Sequence, residues 1–154
     1  MEEKSRIGDI FAIQTNIGFG LFQVIQHIEK GIDVIRVLFP IIQDTSQFSK
    51  DMADGKERYF IKFPVLAAYN KNLIIKIGNF NIPEFVKIPK KYRMLDYVPH
   101  RNIRNWYVVD AKTNSFKKVS NINDDFLSLS SDAIWNDTFL KERIEENWNL
   151  KDWK

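Results

Sequence analysis

Two runs of strand-forming residues joined by a glycine-rich turn commit this chain to a β-rich fold. Ile10-Phe11-Ala12-Ile13 and Leu21-Phe22-Gln23-Val24-Ile25 flank the segment Thr15-Asn16-Ile17-Gly18-Phe19-Gly20. Apolar and aromatic runs bounded by turn formers read as strands, and Asn16, Gly18 and Gly20 supply the backbone freedom a turn needs. Gly18-Phe19-Gly20 also fits a bulge, where a strand bends sharply to close a small barrel. A third strand, residues 32–39, follows the turn Glu29-Lys30-Gly31 and stops at Pro40. Asp33, Ile35, Val37 and Phe39 share one of its faces; Ile32, Val34, Arg36 and Leu38 share the other. Both faces carry apolar residues, so this strand takes a sandwiched or barrel position rather than a place in a one-sided sheet.

The polar connection over residues 43–58 reads as a long loop with one helical turn around residues 48–52. Strand composition returns over residues 59–66 and again over 72–77, which ends at Gly78. Pro83, Pro89 and Pro99 punctuate residues 79–99, and the expectation there is irregular or edge structure. Residues 105–110 and 115–119 read as a hairpin turning through 111–114. Ser131-Asp132 gives a helix-start signal, and Leu140, Ile144 and Trp148 recur every four residues, predicting a helix over 131–148. Glu145 and Glu146 sit at its C-terminal end, where the helix dipole disfavours them, so packing of the apolar stripe has to hold it. The pattern therefore predicts one α+β, β-rich domain over residues 1–154. Its body, about 7–119, is a strongly bent antiparallel sheet or SH3-like barrel, with a C-terminal helix packed on it.

The chain has 154 residues, 44% of them hydrophobic, enough to bury a real core. It contains no cysteine, which excludes disulfides, thiolate metal sites and cysteine nucleophiles. The charged opening, Met1 to Arg6, lacks the apolar run of a secretory signal. No apolar stretch is long enough to cross a bilayer. These features predict a cytoplasmic protein that does not enter a membrane. The net charge of +3 allows an anionic partner without calling for nucleic acid.

Catalytic motifs are missing from the sequence. Two histidines are present, His27 and His100, and neither lies in a nucleophile or metalloprotease motif. Gly18-Phe19-Gly20 lacks the third glycine and the following helix of a dinucleotide loop. A metal site would have to use carboxylates such as Asp9, Asp33, Asp124 and Asp125, whose spacing singles out no set. The reading is a protein that is not an enzyme and that uses no cofactor or metal.

The most suggestive stretch is basic and aromatic. Lys87, Lys90, Lys91, Arg93, His100, Arg101 and Arg104 face a single acid, Asp96, with Tyr92, Tyr97, Trp106 and Tyr107 interleaved. Cations with stacking platforms suit single-stranded nucleic acid. They suit an acidic protein surface as well, where Arg, Tyr and Trp are common hot spots. A solvated loop whose aromatics plug the core has the same composition. The partner-binding candidates are Lys90, Lys91, Arg93, His100, Arg101, Arg104 and Trp106. A second aromatic set, Trp135, Phe139, Trp148 and Trp153, reads as core, with Trp153 folding back over the body.

The opening stretch resembles the immunity protein 26 family of bacterial polymorphic toxin systems. The residues that carry the resemblance are Gly8-Asp9-Ile10-Phe11-Ala12-Ile13, then Gly18-Phe19-Gly20 and the strand through Val24, and it extends over about residues 7–39. Gln23 departs from the pattern, since many relatives carry a basic residue there. The resemblance implies an antidote that binds a cognate toxin and blocks it sterically, without turnover. A nucleic-acid-binding small β-barrel is the alternative, and a carboxylate-dependent enzyme is the third reading.

Overall fold

The computed structural model describes residues 5–153; most of the solvated lead expected at residues 1–6 lies outside them. The three opening strands form as the residue pattern predicts: β1 (Asp9–Thr15), β2 (Gly18–Glu29) and β3 (Ile32–Leu38). They are neighbours in a five-stranded antiparallel sheet with β4 (Glu57–Phe63) beyond β3 and β5 (Ile74–Asn79) beyond β1. The helical turn expected in the long connection is α1 (Lys50–Ala53). Residues 65–66, expected to continue a strand, instead open the short helix α2 (Val65–Asn70), because Pro64 ends β4.

The first sheet is covered on both faces, which is why its strands are apolar on both sides. Phe11, Ile13, Phe22, Val24, Ile35 and Val37 form one core with Tyr59, Ile61, Trp135, Leu140, Ile144 and Trp148. Ile10, Ala12, Leu21 and Leu38 form the other with Ile42 and Ala53, packed by Phe48, Met52, Ile77 and Phe80. The 43–58 connection is thus a lid on the second core. Arg36, fully buried on that face, fastens it. Its Nε donates to Gln23 Oε1 at 2.7 Å, Nη1 to the Gly55 carbonyl at 2.8 Å, and Nη2 to the Ala53 carbonyl. Burial lowers its pKa, opposed by the charges of Glu57 and Asp54. Gln23 in turn donates to the carbonyls of Gly8 and Phe80.

The glycines and the aspartate of the opening stretch have structural jobs. Gly8 has φ +95°, and a Cβ there would meet the Phe80 carbonyl oxygen at 2.6 Å. Asp9 is buried; its carboxylate accepts from the Arg6 backbone at 2.8 Å and from Asn79 Nδ2 at 3.0 Å. Gly18 carries the turn conformation at φ +126°, while Gly20 is needed for a different reason: a Cβ there would sit 2.7 Å from Ile144 Cδ1.

A second sheet, ordered β8-β7-β6-β9, divides the strands where a single bent sheet or barrel was expected. It contains β6 (Lys91–Val98), β7 (Ile103–Asp110), β8 (Phe116–Lys118) and β9 (Ser130–Ser131). The β7–β8 hairpin matches the sequence pattern. Strand β6 corrects the irregular reading of residues 79–99: Pro89 and Pro99 lie outside the strand and bracket it, so no ladder bond is lost.

The helical C-terminus is also shorter than the periodicity predicts. Ser131 is in β9, paired parallel to β6, and α3 (Asp124–Leu127) precedes it. The last helix, α4 (Asp137–Glu145), starts at Asn136, whose side chain accepts from the Phe139 N–H. It ends where Asn147 turns left-handed at φ +53°. The Asn147 N–H bonds the Ile144 carbonyl at 3.1 Å and the Trp148 N–H bonds the Arg143 carbonyl at 3.0 Å. This is a Schellman closure, whose apolar residue after the left-handed position packs back on the helix. Trp148 keeps the apolar stripe while lying outside the helix. Glu145, disfavoured by the dipole, accepts from the Asn16 N–H at 2.6 Å and so docks the β1–β2 turn.

Gly20→Val should destabilise the protein by roughly 1–3 kcal/mol through overpacking against Ile144. Chemical denaturation measures this, and combining it with Ile144→Ala should restore part of the loss; no recovery would place the strain elsewhere. Arg36→Ala, which strands three buried acceptors, should cost about 3 kcal/mol and speed amide exchange over residues 43–58. An unchanged exchange pattern there would show that Arg36 does not fasten the lid.

Candidate functional site

The basic, aromatic stretch becomes a long antiparallel hairpin. β6 and β7 pair in continuous register from Lys91 opposite Asp110 to Val98 opposite Ile103. Pro99 starts the tight turn and Asn102 closes it in the left-handed region at φ +49°, its N–H bonding the Pro99 carbonyl at 3.1 Å. Asn tolerates this conformation better than most residues.

The hairpin separates the seven candidate residues into three groups. Lys90 and Lys91 are exposed at its root, where Lys91 lies opposite Asp110. Asp110 is held below the usual carboxylate range by the backbone N–H groups of Thr113 and Lys112 and by Lys91. His100, Arg101 and Arg104 are exposed at the far end. At the rise of an extended strand, root and tip lie about 23 Å apart. They do not form one patch.

Arg93 and Trp106 are a correction: both are interior. Arg93 is fully buried and Trp106 is 8% exposed. Arg93 Nη1 donates to the Trp153 carbonyl at 2.6 Å, and Nη2 donates to the Leu150 carbonyl. Its guanidinium lies 4.3 Å from the Trp153 ring centroid and 5.3 Å from that of Trp106. Trp106 meets Trp153 and Phe126 edge-on at 5.0 and 5.6 Å. Burial draws the Arg93 pKa down to about 10, well above neutrality, so the side chain remains a cation at pH 7. The pair fastens the C-terminal turn to the second sheet. Trp153 folds back, as its position at the end of an aromatic-rich tail suggests.

The tip is where cations and apolar surface coincide. The Arg104 guanidinium lies 5.4 Å over the Tyr97 ring, and these two residues pair across the strands. Tyr97 is 44% exposed and Ile103 40% exposed. Such stacking holds an arginine in a defined orientation. Asp96 is the single acid between residues 91 and 105.

The carboxylates considered for metal chemistry are dispersed into structural roles. Asp9 closes the start of β1. Asp33 is buried, accepting from His27 Nδ1 at 2.5 Å and from Ser5 Oγ at 2.8 Å. Asp124 and Asp125 form the first turn of α3. Among the described residues, no three His, Cys, Asp or Glu side chains are grouped to hold a metal ion. Among the same residues, no helix is long and apolar enough to cross a membrane. Gln23 is buried and accepts from Arg36 rather than facing solvent.

One feature escaped the sequence reading. Trp135, Phe139, Trp148 and Trp153 contribute to the core and also line an open cavity of about 320 Å³, together with Ile134 and Arg143. The signal was the aromatic set itself; its division between core and cavity depends on where α4 ends.

Comparison with family models, with curated proteins and with solved structures finds no match to this chain.

Arg93→Ala should cost about 2–4 kcal/mol, since it strands two carbonyls and removes the stacked cation. Tryptophan emission should shift to the red as Trp153 loosens. A variant with native emission and native urea midpoint would show that the C-terminal turn docks without Arg93.

Proposed function

We propose that the chain is a non-catalytic binding protein that neutralises a bacterial toxin domain by covering it, acting in the cytoplasm. The observation that supports this best is the hairpin tip. It projects Arg101, Arg104 and His100 beside the exposed Tyr97 and Ile103, the mixture of cations and aromatic anchors found at protein hot spots. The resemblance of residues 7–39 to the immunity protein 26 family supplies the kind of partner. Those residues build the scaffold, and the hairpin carries the recognition.

Recognition follows from the chemistry of the tip. An acidic toxin surface is steered in by the cations. Arg104, already stacked on Tyr97, loses less side-chain freedom when it pairs with a carboxylate. Tyr97, on the same face as Arg104, then excludes water around that ion pair. Inhibition needs only that the bound body occlude the toxin's own site.

The test is a binding measurement by calorimetry against the toxin domain encoded beside this chain's gene. Charge reversal, Arg101→Glu with Arg104→Glu, should weaken the complex by about ten- to a hundredfold and leave thermal unfolding unchanged. Undiminished affinity would move the interface away from the tip, most directly to the 43–58 lid. No complex with the neighbouring toxin, together with oligonucleotide binding that falls steeply with salt, would overturn the proposal in favour of nucleic acid.

A further inference from the structure

We infer that the aromatic cavity where the two sheets meet is a socket for one bulky apolar side chain carried on an acidic segment of the protein partner. This rests on the binding-protein reading above and gives that reading a second contact point. The cavity, about 320 Å³, is at the small end of the range for ligand sites, which suits an anchor side chain. Its walls are the rings of Trp135, Phe139, Trp148 and Trp153. Ile134 stands at its lip, 50% exposed, on backbone pinned to β4 by its bridge to Lys62. An apolar lip on a rigid segment is a surface that gains by being covered.

Charge selects the occupant. An aromatic box alone would suit a quaternary ammonium or methyl-lysine. Here the box already holds a cation: the Arg143 guanidinium lies 4.4 Å from the Phe139 centroid and 5.3 Å from that of Trp148. Arg143 Nη1 bonds Glu146 at 2.9 Å, whereas its Nε is buried without a hydrogen-bond partner. A second cation entering would compete with this guanidinium for the ring faces, and a carboxylate beside the anchor can pair with the Arg143 donors that Glu146 leaves unused.

The socket is also joined to the hairpin by a ring contact. Trp153, in its wall, abuts Trp106. Trp106 and Arg104 are two residues apart on β7 and so share a face, about 7 Å apart along the strand. Arg143 at the socket and Arg104 on β7 therefore stand on either side of the Trp153–Trp106 contact. A segment with a central aromatic for the socket and acids on either side matches those two cations.

The experiment uses the full chain labelled with ¹⁵N and a set of short unlabelled peptides. One has a central Phe flanked by Asp and Glu, a second has Ala for Phe, and a third has Lys for every acid; free phenylacetate is the small-molecule control. The acidic Phe peptide should shift the indole N–H signals of Trp135, Trp148 and Trp153, and the Ala and Lys peptides should bind at least roughly tenfold more weakly. Ile134→Glu, on the exposed lip, should reduce affinity about tenfold without moving the unfolding midpoint, and Arg143→Gln should reduce it similarly. Peptide shifts confined to Arg101–Arg104 with still indoles would refute the socket and leave the tip reading standing. Equal binding of the Lys peptide, or native affinity in Arg143→Gln, would refute the charge selection. Phenylacetate binding as tightly as the peptide would make the cavity a small-acid site and overturn the protein-partner assignment.

Discussion

Residues 130–135 tie the two sheets together. Ser130 and Ser131 pair with Tyr92 and Arg93 on the edge of one sheet, and the Asp132 N–H bonds the Arg93 carbonyl at 2.9 Å. Three residues later the same strand of chain bridges Lys62 on the edge of the other, where the Trp135 N–H bonds the Lys62 carbonyl at 2.9 Å. Two strand edges that would otherwise expose unpaired backbone groups are each covered in part by one short peptide. The Lys62–Asp132 ion pair, at 2.6 Å, and the Lys62 ammonium 4.4 Å over the Tyr92 ring sit across the same junction. The start of α4, the position of Trp135 and the aromatic cavity all depend on that crossing.

Two buried arginines complete the architecture in the same way. Arg36 and Arg93 direct their N–H groups at backbone carbonyls of segments that lack regular partners of their own, the 43–58 lid and the C-terminal turn. A guanidinium can do this because it offers several donors in a fixed plane and stacks on aromatic rings. Burying a charge is costly unless its donors are used; Arg93, whose Nε has no hydrogen-bond partner, offsets part of that cost by stacking on the Trp153 ring. Each clamp therefore favours one arrangement of loop and sheet over looser ones. It also leaves the remaining cations of the hairpin, at its root and tip, as the ones presented to solvent.

That division explains which parts of the molecule could be read in advance. The opening strands were legible because their periodicity, their turn glycines and their two-faced apolarity are local properties. The β7–β8 hairpin was legible for the same reason. Strand β6 was not, because prolines near a strand and prolines inside one look alike until the boundaries are known. The start of α4 was missed because Ser131-Asp132 has the composition of a cap but is taken up as a strand partner of β6. Local composition groups Arg93 with its basic neighbours because burial by residues 57 to 60 positions away leaves no mark on it. Local sequence places Gly20 in the turn, while the contact that requires it comes from Ile144 in α4.

By itself the sequence determined a β-rich α+β chain, the order of its first three strands, the covering of both their faces and the clustering of cations with aromatics in one stretch. These follow from short-range periodicity and residue chemistry. The tertiary structure decided that there are two sheets, that Arg93 and Trp106 are internal, that the basic stretch is split between the ends of a hairpin, and that the tryptophans line a cavity as well as a core. Each of those depends on pairing or packing between residues far apart in the chain. The free energy of such contacts is set by which distant groups meet in space, and local composition does not encode that.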